Sequence, residues 1–256
     1  MLRAFLPTSL WPAADAVLPY PVVLDEAESN HLANVMRVTP GTPISLLDGA
    51  GHVAESHVVQ VRKKALELEI TALSAVPPPA LPRILSIALV REQPLDSILQ
   101  KAVELGVSEI RLIQTAHCVV RLSATDFQRK LPRWTSVLQS SCKQSGNPWM
   151  PLLKTAASLD AALALRHPGE QGAFGALRPE AIPCVQWFDS LRTAPSGPAT
   201  PALSVWIGPE GDFSAAESDA LLAAGLTPLS LGPIVLRVET AAIAMLSGLL
   251  LASLRS

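Results

Sequence analysis

The order of apolar and polar positions changes character once along this chain. Upstream of a proline cluster, Val76-Pro77-Pro78-Pro79-Ala80-Leu81-Pro82, short β-type stretches alternate with turns. Ile44 to Leu47, Gly51 to Val61 and Ala65 to Leu73 read as strands, with Pro40-Gly41 and Asp48-Gly49 as turn signals. The piece from Glu26 to Arg37 reads as a helix. This pattern predicts a small, mostly β barrel with one helix. No acid–base or nucleophile constellation stands out in it, so binding is its expected role. Consecutive prolines can neither continue a helix nor donate to a sheet ladder, which makes the cluster a stiff linker. The expected domains are residues 1–76 and 77–256.

Downstream, strands and helices alternate. Arg83 to Val90 is a strand candidate, and Pro94 suits a first helical turn. Leu95, Ile98, Leu99, Ala102 and Val103 then repeat at helical spacing, and Gly106 supplies the stop. Glu109 to Ile113 is the next strand, and Asp126 to Ser145 the next helix. Strands near Ala173 to Leu177 and Ala202 to Ile207 belong to two further strand–helix units, before a last strand at Thr227 to Leu231. The expectation is an α/β domain with a mainly parallel sheet covered on both faces. The terminal helix, Thr240 to about Leu254, is apolar almost all round and must be buried. A homodimer interface is the simplest second cover, and complete burial within one chain is the alternative.

Two loops carry the candidate chemistry. Trp206-Ile207-Gly208-Pro209-Glu210-Gly211-Asp212-Phe213-Ser214 and Leu231-Gly232-Pro233-Ile234-Val235-Leu236-Arg237-Val238-Glu239-Thr240-Ala241 each run from an apolar strand through a tight bend into a helix. Ser214 and Glu217 have capping-box spacing, which sets the first loop's end. Two such loops about twenty residues apart, at the ends of neighbouring strands, can enclose one small-molecule site. Their glycines let backbone groups approach a ligand that side chains would block.

Composition narrows the options. Of 256 residues, 49% are hydrophobic and 16% charged, enough to build a core. The apolar run from Ala241 to Leu254 is broken by Ser247 and Gly248 and falls short of the ~20 residues of a membrane span. The segment Met1-Leu2-Arg3-Ala4-Phe5 lacks the features of a signal peptide. Cys118, Cys142 and Cys184 form no C-x-x-C pair, which argues against a disulfide framework or a zinc site. The expected location is the cytoplasm, without metal. A net charge of −2 argues against nucleic acid, but between Arg111 and Lys143 stand six basic residues, Arg111, Arg121, Arg129, Lys130, Arg133 and Lys143, and one acid, Asp126. Phe127 and Trp134 lie among them. Such a stretch is either a local phosphate-binding face or a solvated helix face.

The two loops resemble the cofactor-binding signature of the bacterial 16S ribosomal RNA uridine N3-methyltransferases, within the SPOUT (α/β-knot) superfamily. The similarity extends through Leu99-Gln100-Lys101-Ala102-Val103-Glu104-Leu105-Gly106-Val107, Arg133-Trp134, Gln144-Ser145-Gly146, and His31-Leu32 with Val35-Met36-Arg37 and Pro40-Gly41. It covers nearly the whole chain. The resemblance implies a PUA-like RNA-binding β-barrel at 1–76 and a trefoil-knotted methyltransferase domain at 77–256, a rare exception to unthreaded connections. It also implies a homodimer through the knot domain and S-adenosylmethionine as cofactor, held by Leu177, Ile207, Gly208, Pro209, Glu210, Gly211, Leu231, Gly232, Leu236, Arg237 and Thr240. The implied target is N3 of a uridine in 16S rRNA of the small ribosomal subunit. Arg3, His31, Arg37, Lys101, Arg121, Arg133 and Lys143 are the expected RNA contacts.

Uracil N3 is protonated at neutral pH and attacks a sulfonium carbon only once that proton leaves. Arg237 is the candidate to stabilise the resulting oxyanion, and Glu239 to take the proton. Glu239 also reads as a carboxylate capping the last helix, a role Thr240 can share. Four positions depart from the family pattern: Asp212 and Ile234 in the loops, and Lys143 and Asn147 near Gln144-Ser145-Gly146. Asp212 either attracts the cationic cofactor or points to solvent. Two other readings stay open: methylation of tRNA or of a ribose 2′-O, and a non-catalytic RNA-binding factor.

Overall fold

The computed structural model describes residues 2–13, 15–62, 64–193 and 202–254. The chain divides into two compact units, Met1–Pro78 with Gln139–Met150, and Pro79–Leu138 with Pro151–Ser256.

In the first unit, every second residue of a long strand turns inward, as at Ala54, Ser56 and Val58. The elements are β1 (Leu2–Phe5), β2 (Tyr20–Val23), helix α1 (Glu26–Asn30), β3 (Pro43–Leu47), β4 (His52–Val61) and β5 (Leu66–Ala75). They form one sheet in the order β1-β3-β4-β5-β2, parallel only between β1 and β3. The ladders leave β1 and β2 as the two edges. Leu6, Leu32, Leu46, Leu68 and Ile70 fill its core.

The helix expected over Glu26 to Arg37 is shorter and irregular. Asp25 caps α1 by accepting the Glu28 N–H at 2.8 Å. His31 to Val35 then widen into a π turn, closed by Met36 N–H to His31 O at 3.1 Å, and Arg37 takes a left-handed φ of 53°. A regular helix would point Leu32 and Val38 in different directions. The wider turn and reversed backbone bring both into the core.

In the second unit, the elements are β6 (Arg83–Ala88), α2 (Glu92–Glu104), β7 (Glu109–Ile113), α3 (Ala124–Ser145, of which the residues from Gln139 onward belong to the first unit), β8 (Leu152–Ala156), α4 (Leu159–Leu163), β9 (Gln171–Gly175), β10 (Ile182–Pro183), α5 (Cys184–Thr193), β11 (Leu203–Ile207), α6 (Ala215–Ala223), β12 (Thr227–Ser230) and α7 (Val238–Ser253). The sheet order is β10-β12-β9-β11-β6-β7-β8, and every ladder described is parallel. Strands β7 and β11 are buried along their whole length, which suits the apolar residues on both of their faces; the polar exceptions, Glu109 and Arg111 of β7 and Ser204 of β11, are buried with them. In α2, Leu95, Ile98, Leu99, Ala102 and Val103 form the buried stripe. Gly106, at φ 67°, ends it in a Schellman motif, with Gly106 N–H on Val103 O and Val107 N–H on Ala102 O.

Helix α7 packs on α2, α5 and the sheet through Ala242, Met245, Leu246 and Leu249. Its far side stays open: Thr240, Ala244 and Leu251 are exposed, so one chain does not bury this helix completely.

Candidate active site

Strands β11 and β12 are each inserted between strands that precede them in sequence. They are not adjacent, as the sequence suggested, because β9 runs between them. Adjacent strands about 4.8 Å apart would leave their loops no room. With β9 between, the loops stand apart and its end, Gly175-Ala176-Leu177, forms a floor. A cavity of about 480 Å³ opens there, at the carboxyl ends of the strands, lined by both loops and by the starts of α2 and α7. Its size falls within the ~300–1,000 Å³ of small-molecule sites.

The first loop is fixed by local contacts. A Cβ on Gly208 would come within 3.0 Å of the Phe213 backbone nitrogen, so the bend needs glycine there. Asp212 N–H donates to Pro209 O at 2.9 Å, and Asp212 takes a left-handed φ of 59°. The Phe213 ring is buried edge-on against Phe174 of β9. Ser214 and Glu217 form the predicted capping box. Glu217 also accepts the Ala116 N–H at 2.7 Å, and His117 Nδ1 donates to the carbonyls of Gly211 and Asp212 at 2.9 and 3.0 Å. The segment after β7 thus clamps this loop from outside.

The second loop turns at Gly232, where φ is 121° and a side chain would be strained. Ile234 and Val235 are 74% and 71% exposed beside the cavity. Arg237 is the N-cap of α7 and makes no side-chain cap hydrogen bond. Glu239 lies in the first turn of that helix, so it is not the cap; there it can oppose the helix dipole. Both side chains line the cavity, and no ion pair engages either among the described residues. Arg91, at the start of α2, lines it too and is likewise unpaired among the described residues.

Most residues expected to hold a cofactor come together here: Leu177, Ile207, Gly208, Pro209, Glu210, Leu231, Gly232, Leu236 and Arg237 line the cavity. Gly211 and Thr240 do not. Gly211 packs against the His117 side of its loop, and Thr240 faces outward on α7. Sequence reasoning missed Arg91. Its signal was topological, since it follows a strand that pairs with β11, and such turns converge on one end of a parallel sheet.

The basic stretch between Arg111 and Lys143 is largely taken up by contacts within the fold. Arg111 is completely buried, with Nε 2.6 Å from Glu109 and a two-pronged bond to Glu170 at 3.1 and 2.9 Å. Phe127 and Trp134 are buried edge-to-face against each other, unavailable for base stacking. Arg133 pairs with Asp96 and Glu92, Lys143 with Glu28, Lys101 with Glu104 and Arg129 with Asp126. Arg121 donates to Ala116 O, and Arg3 to the carbonyls of Lys143 and Gln144. The partners come largely from outside the 111–143 window, so the excess of base over acid counted there is neutralised by the fold. Only His31 and Arg37 of the expected RNA contacts are exposed without a side-chain partner among the described residues.

Burial would raise the Glu170 carboxyl, but hydrogen bonds from Arg111, Ser204 and the His167 backbone, with the Arg111 charge, hold it below its ordinary value. Glu109 behaves alike: burial opposes ionisation, and Lys154 and Arg111 outweigh it.

A family model described as an RNA methyltransferase domain matches residues 77–250, and one described as an RNA methyltransferase PUA domain matches residues 24–71. The chain is 30% identical over 224 residues to a Mycobacterium bovis protein named ribosomal RNA small subunit methyltransferase E, covering 86% of this chain and 82% of that protein. A Bacillus subtilis protein of the same name is 27% identical over 236 residues, with 87% and 86% covered. The crystal structure of a ribosomal RNA small subunit methyltransferase E from Neisseria gonorrhoeae, bound to S-adenosyl methionine, superposes with a TM-score of 0.80 at 26% identity, covering 97% of this chain and 96% of that one.

Proposed function

We propose, for a chain that belongs to the RNA methyltransferase family and to its branch named ribosomal RNA small subunit methyltransferase E, that it methylates N3 of a uridine in 16S rRNA with S-adenosylmethionine as donor. The observation that carries this reading is the cavity between the two loops, which gathers the cofactor-type backbone and the Arg237–Glu239 pair at one strand end. Its character suits the donor. Apolar walls from Leu177, Ile207, Leu231 and Leu236 can sandwich a purine, and the bends at Gly208 and Gly232 leave backbone groups open to polar edges.

The donor supplies an electrophilic methyl group on a positively charged sulfur. The protein's task is to hold uracil in line with it and to deal with the N3 proton. Arg237 donates to a uracil carbonyl oxygen and stabilises the negative charge that spreads there as N3 loses its proton. Glu239, in the first turn of α7, accepts that proton. The N3–C bond forms as the C–S bond breaks, with the electron pair remaining on sulfur. Ile234 and Val235, exposed apolar side chains beside the cavity, are placed to cover the reacting atoms once donor and uracil are bound.

Several finer statements belong to the same proposal. Residues 1–76 act as a PUA-like RNA-binding domain, with exposed His31 and Arg37 as its first contacts. Residues 77–256 act as the methyltransferase domain, and the insertion of β11 and β12 among earlier strands suits a trefoil knot. The open side of α7 supports a homodimer through this domain. No described helix is long and apolar enough to cross a membrane. A ribosomal RNA substrate would place the protein in the cytoplasm. The test is an Arg237→Ala variant assayed with small-subunit rRNA. It should lose at least a hundredfold in turnover, the order expected for one oxyanion donor, while calorimetry shows S-adenosylmethionine affinity within threefold of wild type. Unchanged turnover would remove Arg237 from the mechanism.

A further inference from the structure

We propose that Asp212 lets this cavity discriminate the sulfonium donor from its neutral thioether product, an inference that rests on the cofactor reading above. Asp212 is held at a φ of 59°, a conformation L-residues rarely adopt. Three contacts fix it. Its N–H donates to Pro209 O at 2.9 Å, its carbonyl accepts from the His117 ring at 3.0 Å, and its own Oδ1 accepts the Phe213 N–H at 2.7 Å. None of these calls for a charge. Glycine fits this backbone without strain, and asparagine supplies the same side-chain acceptor. Helix α6 needs no help, since Ser214 and Glu217 already close its N-terminus.

What aspartate adds is one negative charge on the cavity wall, on a loop held by the three contacts above. The other charged groups there are Arg91, Glu210, Arg237 and Glu239. Among the described residues of this set, Asp212 alone has its side chain tied to loop backbone, and its second oxygen, Oδ2, remains without a partner. When the methyl group leaves, the sulfur keeps the electron pair and its positive charge disappears. A fixed carboxylate therefore attracts the donor and is indifferent to the product. The consequence is weaker product inhibition at a site where both molecules share every other group.

The experiment is calorimetric titration of the intact protein with S-adenosylmethionine and, separately, S-adenosylhomocysteine. It compares wild type with Asp212→Asn and Asp212→Gly, with melting curves confirming that both variants fold. Both variants should bind the donor about tenfold more weakly and the product within twofold of wild type, lowering the preference by nearly the same factor. Parallel losses for the two ligands, or no loss for either, would overturn the role of Asp212 and leave the cofactor site standing. Wild-type protein that bound neither ligand would overturn the cofactor reading itself, and this inference with it.

Discussion

Replacing Arg111 with methionine tests how the second unit holds its charge. The guanidinium is fully buried and makes three hydrogen bonds, one to Glu109 and two to Glu170, whose side chain is also fully buried. Methionine fills much of the volume but leaves Glu170 with Ser204, the His167 N–H and a long contact from Arg166 at 3.5 Å. Glu109 keeps Lys154 at 2.8 Å and is less affected. Breaking a buried pair from one side costs about 3–5 kcal/mol. That is a large part of the ~5–15 kcal/mol total stability of a typical protein. At roughly 2–4 °C per kcal/mol for a chain of this size, melting should fall by about 6–20 °C. The sign with pH follows from the carboxylates. Both have folded-state values below their unfolded ones, so their stabilisation is full above the ordinary carboxylate range and is lost as pH falls through the folded values. In the variant, Glu170 loses its main partner and burial dominates, so protonation relieves it. Urea unfolding at pH 7.5 and pH 4.5 should therefore show a larger deficit at the higher pH. A melting shift under 2 °C, or a deficit equal at both pH values, would refute this account.

Other outcomes follow from single residues. Ser214→Ala removes half of the capping box and should lower stability by about 1 kcal/mol, read by urea unfolding. Gly208→Ala drives a Cβ against the Phe213 nitrogen, so the loop must shift; donor affinity should drop at least tenfold by calorimetry, with melting lowered much less. Burial pushes the Cys142 thiol up to about 12, so it should resist iodoacetamide at pH 8 in the native protein, while partly exposed Cys184 labels first by peptide mass mapping.

Local signals carried most of the second unit. The Leu95 to Val103 stripe, the Gly106 stop and the Ser214–Glu217 box are settled within a few residues, and each formed as read. Elements whose formation depends on distant partners were invisible. Strand β8 is a half-exposed edge with no alternation, and β10 has only two residues, so neither has a periodicity to detect. The same limit applies to the basic segment. Arg111 looks like its neighbours in one dimension, and only the approach of Glu170, far along the chain, makes it an interior residue. Candidate chemistry was legible in the loops because their glycines and caps define a bend locally. Arg91 was not, because its relation to them passes through the ladder between β6 and β11.

The central claim is best tested on the product. Small ribosomal subunits lacking the modification would be incubated with this protein and S-adenosylmethionine labelled with deuterium in its methyl group. Their 16S rRNA would then be digested to nucleosides for mass spectrometry. The account predicts a single labelled nucleoside, 3-methyluridine, whose initial rate of formation falls at least a hundredfold with Arg237→Ala. Label on a ribose hydroxyl or on another base, or no label at all, would contradict it.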